Sequence, residues 1–128
     1  MNDVITLCFP AKFDYIAPIR LAVSGIVSNR EMSVEQLENI KTCVSEACML
    51  LICSQTCNVF HVTVTIKDAE IIVSVDGSKT EKIVQCKGCM EFNTEMSKMM
   101  INAMSSECRF VGEGDALSKV IFSILTKD

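Results

Sequence analysis

The stretch Ser33–Cys53, SVEQLENIKTCVSEACMLLIC, predicts a long helix. Ser33-Val34-Glu35-Gln36 has the form of a capping box, in which the first and last side chains each bond a backbone N–H that a helix start leaves unpaired. Behind it, apolar residues recur at helical spacing and form the stripe expected to face a core: Val34, Leu37, Ile40, Val44, Ala47, Cys48 and Leu51. A second stripe lies on the other side of the predicted helix and comprises Asn39, Cys43, Glu46, Leu50 and Cys53.

A short strand and a first helix are predicted before this segment. Residues 4–9, VITLCF, are apolar and β-prone, and Pro10 ends the run. Asp14 can cap a helix that starts near Tyr15, and the apolar stripe of that helix leaves Arg20 at the surface.

After the long helix, alternating apolar and polar residues predict two antiparallel strands, at Val59 to Ile66 and Glu70 to Val75. Residues 76–93 lose periodicity and are expected to form a long loop. Thr94 can cap a third helix whose spaced methionines, Met96, Met99, Met100 and Met104, are interpreted as core. A final hairpin is predicted from Cys108 to Leu125 around the turn at residues 112–115.

The element order β-α-α-β-β-loop-α-β-β predicts an α+β fold. It is expected to be a two-layer sandwich, in which a mostly antiparallel, mixed sheet is covered on one face by about three helices. No repeat, low-complexity tract or linker interrupts the 128 residues, so residues 1–128 are expected to form a single domain.

Composition excludes several classes of protein. Hydrophobic residues make up 49% of the chain and charged residues 22%, which argues against intrinsic disorder. The net charge is −4 and there is no basic block, so direct nucleic-acid binding is not expected. The longest unbroken apolar run, Ala47–Cys53, is too short to cross a bilayer, and the first residues lack the pattern of a secretory signal. We therefore expect a cytoplasmic protein, with most of its eight cysteines as thiols.

Two segments resemble the first two helices of a known family. Residues 19–26, IRLAVSGI, and residues 37–48, LENIKTCVSEAC, are similar to the anti-sigma factor serine kinases, small GHKL ATPases with the Bergerat fold. Val44-Ser45-Glu46-Ala47-Cys48 is the most specific part. The similarity extends over nearly the whole chain, because the element order also matches.

The resemblance implies ATP and Mg²⁺ as cofactors, but this sequence departs from the family's pattern. Glu46 matches the general base, whereas Leu50 stands where the family has the Asn that holds Mg²⁺, so no metal ligand is assigned. Asp76 and Gly77 match the start of the adenine-binding motif. The glycine-rich lid is missing, since Gly88 is the only glycine between Gly77 and Gly112. We therefore expect a degenerate ATP site.

The same resemblance implies a regulator that binds a sigma factor or a STAS-type antagonist protein, with Arg20 near the contact, and it implies a homodimer. The alternative is an active serine kinase, in which Glu46 would deprotonate a serine of the antagonist.

Cysteine spacing leaves a third hypothesis open. Cys86 and Cys89 have zinc-knuckle spacing, and Cys53 with Cys57 could complete a four-thiolate site. The alternative is packed thiols and two loop cysteines. His61, the one histidine, is expected on the solvent side of its strand.

Overall fold

A computed structural model describes residues 2–53, 57–78, 94–113 and 116–126. The elements, in chain order, are β1 (Asp3–Pro10), α1 (Ile16–Val27), α2 (Val34–Cys53), β2 (Val59–Ile66), β3 (Glu70–Ser78), α3 (Thr94–Met104), β4 (Glu107–Glu113) and β5 (Ala116–Leu125). A short 3-10 turn, Phe13–Tyr15, leads into α1.

The five strands form one sheet in the order β1-β2-β3-β5-β4. Every pair of neighbouring strands is antiparallel, so the parallel component implied by a mixed sheet does not occur among the described strands. The three helices share one hydrophobic core with one side of the sheet. The predicted α+β two-layer sandwich is confirmed, and it is consistent with the GHKL-like arrangement.

Alternation along the strands defines two faces of the sheet. The inner face carries the core side chains of the central strands: Phe60, Val62, Val64, Ile71, Val73, Val75, Val120, Phe122 and Ile124. The outer face carries the residues between them, including His61, Ser74, Asp76 and Ile121, which are half-buried. Because the helices pack on the inner face, a residue's place in the alternation decides whether its side chain points toward them.

The start of α2 follows the prediction in detail. The Ser33 backbone N–H donates to Gln36 Oε1 at 2.9 Å, and the Gln36 backbone N–H donates to Ser33 Oγ at 3.0 Å. This is the reciprocal capping box expected from the sequence. The predicted Asp14 cap was wrong: Asp14 lies inside the 3-10 turn, and no side chain caps the start of α1.

Two core assignments were also wrong. Val34 is 80% exposed, because it occupies the first turn of α2 beyond the edge of the core. On α3, Met96 and Met99 are 57% and 70% exposed, and the helix turns Ser97 and Ile101 inward instead. None of the helices in the described ranges is long and apolar enough to cross a membrane.

Candidate functional site

Glu46 lies on α2, and its carboxylate is hydrogen-bonded to the hydroxyl of Ser97 on α3. Ser97 Oγ donates to Glu46 Oε2 at 2.5 Å, and Ser97 is only 2% exposed. Hydrogen bonds to an ionised acceptor are short and strong, particularly away from water. The carboxylate predicted as a general base is therefore already engaged by a hydroxyl of its own chain.

One turn earlier on α2, Cys43 adds a second contact between the two helices. Its thiol donates to the backbone oxygen of Ile101 at 3.9 Å, and both residues are fully buried. Burial raises the pKa of the Cys43 thiol to about 12, with smaller contributions from Cys108 and Glu46. Cys43 is therefore a neutral packing group at physiological pH.

Leu50, one turn after Glu46, is fully buried in the shared core. Cys48, Leu51 and Phe60 are also fully buried in that core. Burial raises the pKa of the Cys48 thiol to about 12, with a smaller contribution from Cys57. Mg²⁺ requires oxygen ligands, and the Leu50 side chain supplies none.

Asp76 lies on the outer face of the sheet. It falls between Val75 and Gly77 in β3 and is paired in register with His61 on β2 and Lys119 on β5. Lys119 Nζ lies 3.7 Å from Asp76 Oδ1, and Ser74 Oγ donates to Asp76 Oδ2 at 3.5 Å. Since α2 packs on the inner face, the structure does not bring Asp76 and Glu46 together.

Gly77 follows on the inner face, where it makes a close approach to another segment. A Cβ atom placed on Gly77 would lie 2.7 Å from both Cβ and Sγ of Cys57. Cys57 is buried, its thiol donates to the Leu51 backbone oxygen at 3.7 Å, and burial raises its pKa to about 11. The missing side chain of Gly77 therefore makes room for Cys57.

Arg20 is half-buried on α1 rather than fully at the surface. Its Nε is buried and has no hydrogen-bond partner within the described part of the chain. Leu21, the next residue, is 71% exposed, and Phe13 and Tyr15 before the helix are also exposed. This segment presents apolar groups beside a guanidinium with an unused donor.

The zinc hypothesis gains no support within the described residues. Cys53 is disulfide-bonded and Cys57 is buried under β3, while Cys86 and Cys89 lie outside the described residues. No group of three potential metal ligands occurs in the ranges described. His61 lies on the outer face, opposite Cys8 and Asp76 in the sheet register.

Sequence reasoning missed Ser97 as a partner of Glu46. Ser97, Ile101 and Met104 follow at four- and three-residue steps and form the side of α3 that packs inward. The methionines of the same helix also have helical spacing, and their stripe is more hydrophobic than the one that begins at Ser97. The sequence signal that could have identified this contact is Ser97 itself, a polar residue at the start of the inward-facing stripe.

The known proteins to which part of this chain is similar are serine-protein kinases. They are named RsbW. The protein of Listeria monocytogenes is 49% identical over 47 residues, which cover 37% of this chain and 30% of the relative. That of Bacillus pumilus is 44% identical over 46 residues, covering 36% and 28%. For Bacillus licheniformis the identity is 46% over 46 residues, covering 36% and 29%.

The similarity is local, because the matched segment spans less than a third of each of these relatives. No family model matches the chain. These findings support a relationship to the RsbW serine-protein kinases.

Proposed function

We propose that this chain is an anti-sigma-type regulator related to the serine kinases, which acts by binding a sigma factor or a STAS-type antagonist and has a degenerate ATP site. The proposal places it in the cytoplasm and allows a homodimer. One observation carries it: Glu46 is bonded to Ser97, while Leu50, one turn on, is fully buried. The position that matches the kinase base is retained, and the metal position is core.

The surface around Arg20 supports a protein partner. Arginine and aromatic side chains are enriched where proteins meet, and the strongest contacts pair them with desolvated neighbours. Arg20 has a buried Nε without a partner among the described residues, and Leu21 beside it is exposed. A partner that covers Leu21 would remove this apolar side chain from water beside the half-buried Arg20.

The partner is tested by binding the purified chain to a sigma factor and, separately, to a STAS-domain protein from the same genome. We expect one of them to bind, and Arg20→Ala to weaken binding about tenfold or more, as for an interface hot spot. Arg109→Ala is the control, because Arg109 is exposed on β4, away from α1. Absence of binding to either protein would refute the proposed function.

The ATP site is tested by isothermal titration of the reduced protein with ATP and ADP, with and without Mg²⁺. A degenerate site predicts no binding that tightens with Mg²⁺, because Leu50 offers no oxygen ligand. Micromolar binding that Mg²⁺ strengthens would contradict the degenerate site.

An active serine kinase is the second candidate, and the Ser97 contact is what favours it. Glu46 accepts a hydrogen bond from a serine hydroxyl of its own chain, and a base that activates a substrate serine would have to make a contact of the same kind. Transfer of labelled phosphate from ATP to the STAS-domain protein, abolished by Glu46→Gln, would select this alternative.

A further inference from the structure

A row of four polar side chains crosses the outer face of the sheet. Cys8 on β1 is paired in register with His61 on β2, His61 with Asp76 on β3, and Asp76 with Lys119 on β5. Each of the four alternates with residues that pack on the inner side, so their side chains point away from the helices. The sheet therefore separates this row from Glu46.

Side chains that face each other across β1 and β2 are close enough to interact. Residues directly opposite in an antiparallel pair have Cβ atoms about 4.5–5.5 Å apart. Two residues from Cys8 along the same ladder, Thr6 Oγ1 lies 3.4 Å from Thr63 Oγ1. Pairs two residues apart in an antiparallel ladder have the same geometry, so the Cys8 thiol can reach the His61 ring in the same way.

Cys8 and Asp76 are the titratable side chains next to His61 on the outer face of the described strands. The adjoining rows of this face carry no titratable group and consist of Thr6, Thr63, Ser74 and Ile121 on one side and Pro10, Val59 and Ser78 on the other. The Asp76 carboxylate is held by Ser74 and by Lys119. The imidazole is therefore placed between a thiol and a fixed carboxylate.

Exposure separates Cys8 from the other described cysteines. Cys8 is an exposed free thiol, whereas Cys53 is disulfide-bonded, Cys108 is half-buried, and the remaining three are buried: Cys43, Cys48 and Cys57. A thiol reacts as its thiolate, so an accessible thiol beside a base is reactive, while thiols buried in apolar surroundings are inert. Since no three potential metal ligands converge within the described ranges, we interpret the row as a nucleophile with its base.

We propose that Cys8 undergoes reversible thiol–disulfide exchange with low-molecular-weight disulfides of the glutathione type, and that His61 is its base. His61 accepts the proton of the Cys8 thiol, and Asp76 stabilises the resulting imidazolium from the other side. The thiolate attacks one sulfur of the disulfide, so that a bond forms between Cys8 Sγ and that sulfur while the disulfide's own S–S bond breaks. The departing thiolate takes the proton from His61. One small thiol is released, and Cys8 is left as a mixed disulfide.

The test is the rate at which oxidised glutathione modifies each cysteine of the purified chain, followed by peptide mass mapping. We expect Cys8 to be modified at least about tenfold faster than Cys108, because Cys108 is half-buried. An excess of reduced glutathione should remove the adduct, which distinguishes a mixed disulfide from irreversible oxidation of the sulfur.

Replacement of His61 tests its role as the base. At pH 7 we expect His61→Gln to slow the modification of Cys8 about tenfold, because the thiol must then lose its proton to water. At about pH 10 an ordinary thiol is ionised without help, so both proteins should react at similar rates there. Thr63→Gln is the control, because Thr63 lies on the same face of β2 but opposite Thr6. Circular dichroism melting verifies that each variant is folded.

Three results would overturn the proposal. One is modification of Cys8 no faster than that of Cys108. Another is an effect of His61→Gln at pH 7 no larger than that of Thr63→Gln. The third is an effect of His61→Gln that persists undiminished at about pH 10, since His61 would then control access to Cys8 rather than its proton. The inference does not depend on the proposed function, because these experiments use neither a sigma factor nor a STAS-domain protein.

Discussion

Gly77 and Cys57 are so close that a methyl group on Gly77 would lie 2.7 Å from the Cys57 side chain. We expect Gly77→Ala to lower the free energy of unfolding by about 1–3 kcal/mol, because the added atom forces the buried Cys57 aside. Urea denaturation measures this change. In a Cys57→Gly background the same substitution should cost much less, and an equal cost in both backgrounds would show that the contact is not the cause.

The Ser97–Glu46 hydrogen bond should be measurable as a coupling energy. Ser97→Ala leaves a half-buried carboxylate without its donor, so we expect a loss of about 1–3 kcal/mol. A double-mutant cycle with Glu46→Ala isolates the pair, and we expect a coupling of at least about 1 kcal/mol. Ser105→Ala is the matched control. Ser105 follows the last residue of α3, and its hydroxyl donates to the backbone oxygen of Ile101 rather than to a carboxylate. Additive effects of Ser97→Ala and Glu46→Ala on the free energy of unfolding would contradict the prediction.

Replacing Leu50 with Asn should destabilise the core rather than create a metal site. Leu50 is fully buried, so Leu50→Asn places an amide in the core and should cost about 2–5 kcal/mol of unfolding free energy. Leu50→Met keeps the volume and should cost less than about 1.5 kcal/mol. Chemical denaturation compares the two. A Leu50→Asn protein as stable as the wild type would indicate an open, polar pocket at this position.

Buried thiols make the stability depend on alkaline pH. Burial raises the pKa of Cys43 and Cys48 to about 12 and that of Cys57 to about 11, above the ordinary value of 9.0. In the unfolded chain these thiols lose their protons near pH 9, whereas the folded chain keeps them, so stability is full below pH 9 and falls as pH rises toward 11 to 12.

The slope of the unfolding free energy against pH shows which thiols cause this dependence. Each thiol should contribute about 1.4 kcal/mol per pH unit within that window. Cys48→Val should reduce the slope by this amount, and Cys8→Ser, at an exposed position, should leave it unchanged. Unfolding free energies at several pH values between 8 and 11 measure the slope. An unchanged slope in Cys48→Val would contradict the assignment.

Local patterns predicted most of the fold. The Ser33–Gln36 capping box, the alternation in β2 and β3, and the final hairpin depend on contacts between residues close in sequence. For that reason the fold class and the element order could be predicted without knowing how the elements pack.

The candidate site was less predictable, because it depends on which face of an element points inward. Helical spacing in α3 fits both the methionines and the Ser97–Ile101 stripe, and the position of α2 decides between them. Asp76 was expected to begin a loop. The strand β3 instead continues through Ser78, which the loss of apolar alternation after Val75 did not indicate, and Asp76 therefore lies on the outer face.

Among the described strands, β1 lies at one edge of the sheet and pairs with β2 alone, and the two helices α1 and α2 separate these strands in sequence. Asp3 meets Ile66 and Pro10 meets Val59, so each bond of this ladder closes a loop of about 50 residues or more. The hairpins β2–β3 and β4–β5 close far shorter loops and form faster. During synthesis, β1 is made before the strand that pairs with it, and until residues 59–66 follow, its backbone edges are free to pair with other chains.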